Sequence, residues 1–202
     1  MKSIFIRSLI VSVLILTGVN NAKAGLFVDP YLGYNAGWAT QDYTSGSTTV
    51  SLDYTSMGPM FGARAGFQML GFMAGAEYGM STTTQDLAAA AAAGIPAAST
   101  DLQTTYMGVF VGYELPILLR AWATYNLSVN SEKTSGTDKG DVTSGSGFTL
   151  GVGFTGLPFV SLNVEYRSVT FNKSTASGGS ETDLANDITS NELFASVSIP
   201  LP

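Results

Sequence analysis

An apolar, glycine-rich stretch, MGPMFGARAGFQMLGFMAGAEYGMS (Met57 to Ser81), carries one arginine and one glutamate, Arg64 and Glu77. A second such couple, Glu114 and Arg120, flanks Leu115 to Leu119. Glu165 and Arg167 follow, with Asp29 near the start of the chain and Glu192 near its end. In surroundings poor in water, guanidinium and carboxylate groups form charge-assisted, often bidentate hydrogen bonds. That chemistry holds things together; it does not turn over a substrate. The chain has no histidine and no cysteine, so it can form no imidazole base, thiolate or disulfide. Its many serines lack the base that would activate them. No catalytic, cofactor or metal site is expected.

Composition limits what surrounds these charges. Charged residues are 12% of the 202 and hydrophobic ones 45%, where an average soluble domain is about a quarter charged. The start, MKSIFIRSLIVSVLILTGVNNAKAGLF, has Lys2 and Arg7, an apolar run from Leu9 to Leu16, and the small-x-small pattern Ala22-Lys23-Ala24. This reads as a signal peptide, residues 1–24, cleaved after Ala24. Its apolar run is too short to span a bilayer, which takes about 20 residues. Cleavage removes three of the nine basic residues and none of the fifteen acidic ones, leaving 6 − 15 = −9. Such a chain has no affinity for nucleic acid. Without cysteine there is no lipoprotein anchor either. Residues 25–202 form one exported domain.

Period-two alternation must position the charges. In VDPYLGYNAGWAT, Val28, Leu32, Tyr34 and Trp38 share one face; Asp29, Tyr31, Asn35 and Ala39 share the other. Seven further segments alternate likewise, and one of them has the face Leu119/Ala121/Ala123/Tyr125/Leu127/Val129. Eight strands result, most near the nine to eleven residues a tilted strand needs to cross a bilayer. Three connections are tight: at Leu70-Gly71, at Leu115 to Leu119, and at Gly156 to Phe159. Four are long and polar: Asp42 to Thr55, Thr84 to Gln103, Ser131 to Ser146 and Lys173 to Ser190. Tight turns at one end and long loops at the other predict an all-β, eight-stranded antiparallel up-and-down transmembrane barrel with its long loops outside.

The apolar face must point to lipid. The opposite face is mostly glycine with some Thr, Ser and Asn, far below the 25–35% charge of a typical water-facing surface; glycine suits a narrow lumen instead. Aromatic residues near the strand ends predict girdles at the two headgroup levels. Trp38, Phe61, Tyr78, Tyr125 and Tyr166 lie towards the loops, and Phe67, Phe72 and Tyr113 towards the turns. A two-residue turn at Leu70-Gly71 pairs Arg64 with Glu77 on the inward face. Pairing Leu115 with Leu119 likewise sets Glu114 opposite Arg120. With Asp29, Glu165, Arg167 and Glu192, these residues predict a lumen ion network, packed around by Tyr31, Tyr106, Phe110 and Trp122. Exchange among Arg64, Glu77, Arg120 and Glu114 would be the route to a narrow water or ion path.

On these residues the chain resembles the eight-stranded outer-membrane barrels of Gram-negative bacteria, the OmpA transmembrane domain and its small relatives. The resemblance covers Gly25 to Pro202 and implies a closed lumen held by Arg/Glu pairs. Two features depart from it: no peptidoglycan-binding domain follows, and the last strand ends in Leu201-Pro202 rather than an aromatic residue. The expected role is a non-enzymatic protein of the cell outer membrane that gives structure and presents external loops for surface interaction. The alternative is a narrow pore or an OmpW-like carrier of small or hydrophobic molecules. Expected partners are outer-membrane lipid and lipopolysaccharide, the barrel-assembly machinery during insertion, and a surface ligand on the loops. The loop TTTQDLAAAAAAGIPAASTDL could form a short helix from Ala88 to Ala93, capped by Asp86 and ended by Gly94.

Overall fold

Alternation continues through most of the segments read as loops, and the backbone pairs there as well. The computed structural model describes residues 24–45, 48–89 and 94–201. Eight strands are present: β1 (Gly25–Ser45), β2 (Thr48–Met69), β3 (Phe72–Leu87), β4 (Ala98–Leu115), β5 (Leu119–Lys133), β6 (Val142–Phe154), β7 (Ser161–Thr175) and β8 (Glu181–Ser198). Each pairs antiparallel with its chain neighbours, and β1 with β8 closes the barrel. Followed from Gly25 through Gln68, Met73, Gly112, Trp122, Gly151, Glu165 and Phe194, the register returns to β1 at Asn35. That is a stagger of 35 − 25 = 10 residues, which tilts the strands by about 35–45° and leaves a narrow interior that side chains can largely fill.

The tight turns set the register. Leu70 and Gly71 both have positive φ (53° and 83°), the type I′ geometry whose twist matches the flanking strands. Leu70 takes the conformation at a steric cost, and Gly71 takes it freely. Met69 then faces Phe72 and Arg64 faces Glu77, while across the next turn Leu115 faces Leu119 and Glu114 faces Arg120.

Two expectations need correction. The four long polar segments are half strand or more, with 13 to 22 residues per strand, so the external connections shrink to residues 46–47, 88–97, 134–141 and 176–180. Outside the lipid the ladder still satisfies every paired N–H and C=O, and threonine fits a pleated surface. The second correction is Val129, read as lipid-facing but only 1% exposed in the interior. The register slips between Asn126 and Val129; that bulge inserts a residue and reverses the side-chain parity beyond it. The signal-peptide residues 1–23 and residues 90–93 of the expected loop helix lie outside the described residues.

The outward face is apolar up to one level and polar above it. It changes from Trp38 to Thr40 on β1, Met57 to Thr55 on β2, Met80 to Thr82 on β3 and Met107 to Thr105 on β4. Below that level Leu32, Phe61, Val111, Leu150 and Val164 are all exposed. In water this belt would be an unusually large apolar surface; against acyl chains it is the expected one. The core lies inside the ring, where Tyr31, Met60, Tyr106, Val129, Val169, Phe171 and Phe194 form one cluster and Phe27, Met73 and Phe110 another.

Candidate functional site

Register places the lumen charges, and side-chain reach then sorts them. Arg64 is the centre. Its Nη1 donates to Asp29 Oδ2 at 3.2 Å and its Nη2 to Glu165 Oε1 at 2.5 Å, while Nε lies 3.4 Å from Glu77 Oε1. The guanidinium also lies between two rings, its Cζ 4.6 Å from the Tyr31 centroid and 4.4 Å from that of Trp122. Asp29 is shared with Arg120, whose Nη2 reaches it at 2.7 Å and also donates to Asn163 and Ser198. Glu77 accepts from Tyr31 Oη at 3.0 Å and from Thr124 Oγ1 at 2.8 Å. These five charged residues form one buried group spanning five strands, stapled by hydrogen bonds and cation–π contacts.

Arg167 stands apart with Glu192. Their closest approach is 3.5 Å, between Nη1 and Oε2. The Arg167 guanidinium is pressed between Tyr106 (3.6 Å) and Phe194 (4.2 Å), and its Nε donates to Thr149. Glu114 belongs to neither group. It faces Arg120 in the backbone register, but its carboxylate accepts from Gln68 Nε2 at 2.6 Å while Arg120 turns towards Asp29. The exchange among Arg64, Glu77, Arg120 and Glu114 that a water or ion path would need therefore has no starting pair at Glu114.

Sequence reading missed Gln68, Asn163 and Ser198 as partners, and Phe194 as half of the Arg167 clamp. Inward parity was their only signal, and parity says nothing about which way a long side chain leans. Glycines make room for the rings: a Cβ on Gly151 would meet the Trp122 indole, and one on Gly79 the Tyr106 ring. Of the expected girdle, Trp38, Phe61, Phe67, Phe72, Tyr78 and Tyr125 point outward and are exposed. Tyr113 and Tyr166 are half-covered, stacking edgewise on Phe72 (4.8 Å) and Phe148 (6.4 Å).

The plug has a hollow at each end. The outer one, about 440 Å³, runs from the rim at Leu87 and Ala98 down to Glu192. The inner one, about 300 Å³, is bounded by Phe27, Glu114, Arg120 and Leu201. Among the described residues no cluster of Asp and Glu is placed to hold a metal ion.

An outward apolar belt, a closed ring of eight strands and a polar plug agree with what the sequence matches. Residues 9–198 match the outer membrane protein beta-barrel domain. The chain belongs to that family. Solved structures resemble it in fold. Ail, the attachment invasion locus protein of Yersinia pestis, solved with the heparin analogue sucrose octasulfate, superposes with a TM-score of 0.53 at 9% identity, covering 87% of this chain and 99% of Ail. The outer membrane protein OprG of Pseudomonas aeruginosa gives 0.50 at 9% identity, over 89% and 97%. The outer membrane protease OmpT of Escherichia coli gives 0.41 at 11% identity, over 90% and 97%. At such identities the likeness to Ail and OprG is one of fold. No curated protein matches the chain in sequence. As a family member it is an outer-membrane protein, and its belt meets lipid.

Proposed function

We propose that this outer-membrane barrel is non-enzymatic and closed, a scaffold that holds its external rim for surface interaction. One observation carries the reading: Arg64 is fixed by three carboxylates and two aromatic rings at the middle of the lumen. A path through the barrel would have to break several of these contacts together. The absence of histidine and cysteine from the sequence supports a non-enzymatic role. The Trp38, Phe61, Tyr78, Tyr125 and Tyr166 rings anchor the outer boundary, and Phe67, Phe72 and Tyr113 the inner one. Export by a signal peptide cleaved after Ala24 fits a first strand that starts at Gly25. Lipid, lipopolysaccharide and the barrel-assembly machinery are the partners such a protein needs.

Planar-bilayer recording tests closure. The purified protein should give no steady openings, and steady openings that Arg64→Ala with Glu77→Ala abolishes would overturn the plug. Deleting each external connection in turn, beginning with residues 88–97, and scoring cell-surface binding tests the rim. If no deletion changes binding, the role is structural alone. An unchanged lipid A mass profile in cells with and without the protein would support the absence of catalysis. The second reading, a narrow pore or a carrier, draws on the hollows of about 440 Å³ and about 300 Å³ that enter the lumen from opposite ends.

A further inference from the structure

The outer hollow differs from the rest of the lumen in charge and in lining. Of the fifteen acidic residues, five lie inside the barrel: Asp29, Glu77, Glu114, Glu165 and Glu192. The other ten sit at or above the outer edge of the belt, with three lysines, Lys133, Lys139 and Lys173. The crown thus carries 3 − 10 = −7, and a mouth ringed by one sign of charge concentrates the opposite sign.

Below that crown the wall is mixed. Hydroxyls of Ser56, Thr83, Thr104 and Ser190 line one part. Phe171, Leu184 and Ile188 form an apolar patch on another. The patch exists because the register between β7 and β8 jumps: Phe171 faces Ile188, yet Lys173 faces Asp183. Four residues of β8, 184–187, therefore lie opposite one of β7. The bulge swings Leu184 and Ile188 over the mouth, and Asn186 fastens it by donating to the Asp42 carbonyl at 2.9 Å.

The charged residues facing this hollow, among the described residues, are Glu192, Lys133 and Asp138. Lys133 and Asp138 pair with each other at the rim, at 3.1 Å. Glu192 stands at the floor with its side chain 13% exposed. At 3.5 Å its contact with Arg167 is longer than the 2.7–2.9 Å of a good charge-assisted bond, and Arg167 spends its faces on two rings. A carboxylate has about four lone-pair sites, and no described side chain donates a hydrogen bond to this one. Its acceptor capacity is open to whatever enters. A volume of about 440 Å³ lies within the range of small-molecule sites, which are mostly apolar with a few polar groups that orient the ligand.

We propose that the outer hollow binds a small organic cation with an apolar tail, its ammonium on Glu192 and its tail on Phe171, Leu184 and Ile188. The ligand enters from outside and stops at the Arg167 floor. It is held, not passed on.

Isothermal titration of the full protein in lipid nanodiscs, with empty nanodiscs as the blank, tests this using hexylammonium, hexanol and hexanoate as probes. Hexylammonium should bind saturably at one site per barrel, at least about tenfold tighter than hexanol, the scale of one hydrogen bond to a charged group. Hexanoate should not bind. Glu192→Gln should weaken hexylammonium by about tenfold or more. Because that change also disturbs Arg167, Ser190→Phe serves as the second variant: it fills the hollow from the wall, leaves the ion pair in place, and should abolish binding while the barrel remains folded by circular dichroism. Equal binding of all three probes would overturn the proposal. So would the lack of saturable binding, or hexylammonium binding unchanged in Ser190→Phe.

Discussion

Lys133 and Asp138 approach to 3.1 Å, and Arg64 and Asp29 to 3.2 Å, but the first pair stands in the crown and the second in the plug. The side chains of the crown pair are 37% and 59% exposed; those of the plug pair are 3% and 0%. Water competes for the crown pair and screens it, so it adds little to stability. In the plug no water competes, each charge depends on its partners, and removing one strands the others. Equal distances therefore do not mean equal roles. The plug charges hold eight strands to one interior arrangement, and the crown charges set the field at the mouth.

Arg64→Met is the sharpest way to break this contrast. It leaves Asp29, Glu77 and Glu165 without their shared cation, and should lower stability by about 3–5 kcal/mol, measured by urea unfolding from lipid vesicles. A loss below that of a crown variant would reverse the ranking. Next comes the boundary between the regions. Val111→Arg, in the middle of the β4 belt, should cost about 2–4 kcal/mol, and Thr105→Arg, just above the belt, about 0–1 kcal/mol in the same measurement. Equal costs would mean that the belt does not end where the outward face turns polar. Gly151→Ala should follow at about 1–3 kcal/mol, since its Cβ meets the Trp122 ring; Gly25→Ala, facing open space, should change nothing measurable.

The smallest effect belongs to the crown pairs. Lys133→Met should leave the unfolding midpoint unchanged at neutral pH. The hydrogen bond from Lys133, and then its charge, hold the Asp138 carboxyl below its usual value. Any contribution from Asp138 is therefore present above the ordinary carboxylate pKa and lost as pH falls through the lowered one. Lys173 is the mirror case: the bond to Glu181 raises it, so its contribution is present below the ordinary lysine value and lost as pH rises through the raised one. Unfolding midpoints of Asp138→Asn and the parent chain between pH 3 and 7 should run nearly parallel. A gap as wide as that of Arg64→Met would erase the distinction between the regions.

Much of the barrel is legible in the sequence because period-two alternation and a two-residue turn leave little freedom. Leu70-Gly71 alone pairs Arg64 with Glu77, and parity alone puts Glu165 and Arg167 inside. Legibility fails where side-chain reach or an irregular backbone decides. Glu114 and Arg120 are neighbours in register but lean apart. The bulge before Val129 carries no composition mark, yet it moves that residue from lipid to core. Threonine- and serine-rich runs read as loops, because polarity is the usual sign of one, but the antiparallel ladder continues through them. The acceptor open at Glu192 depends on an offset of well under an ångström in its contact with Arg167, which residue types do not encode.

The ring closes through its two ends. β8 meets β1 only over Tyr31–Thr40, although β1 runs on to Ser45 beside β2. Leu201 completes the joint below by exchanging backbone hydrogen bonds with Val28. β1 and β8 must therefore find each other across the six strands between them, the costliest kind of pairing to nucleate. Until they do, both present bare N–H and C=O groups that hydrocarbon cannot satisfy. This seam is the shortest strand pairing in the wall, and the backbone edges that hydrocarbon cannot satisfy stay open until β8 has joined β1.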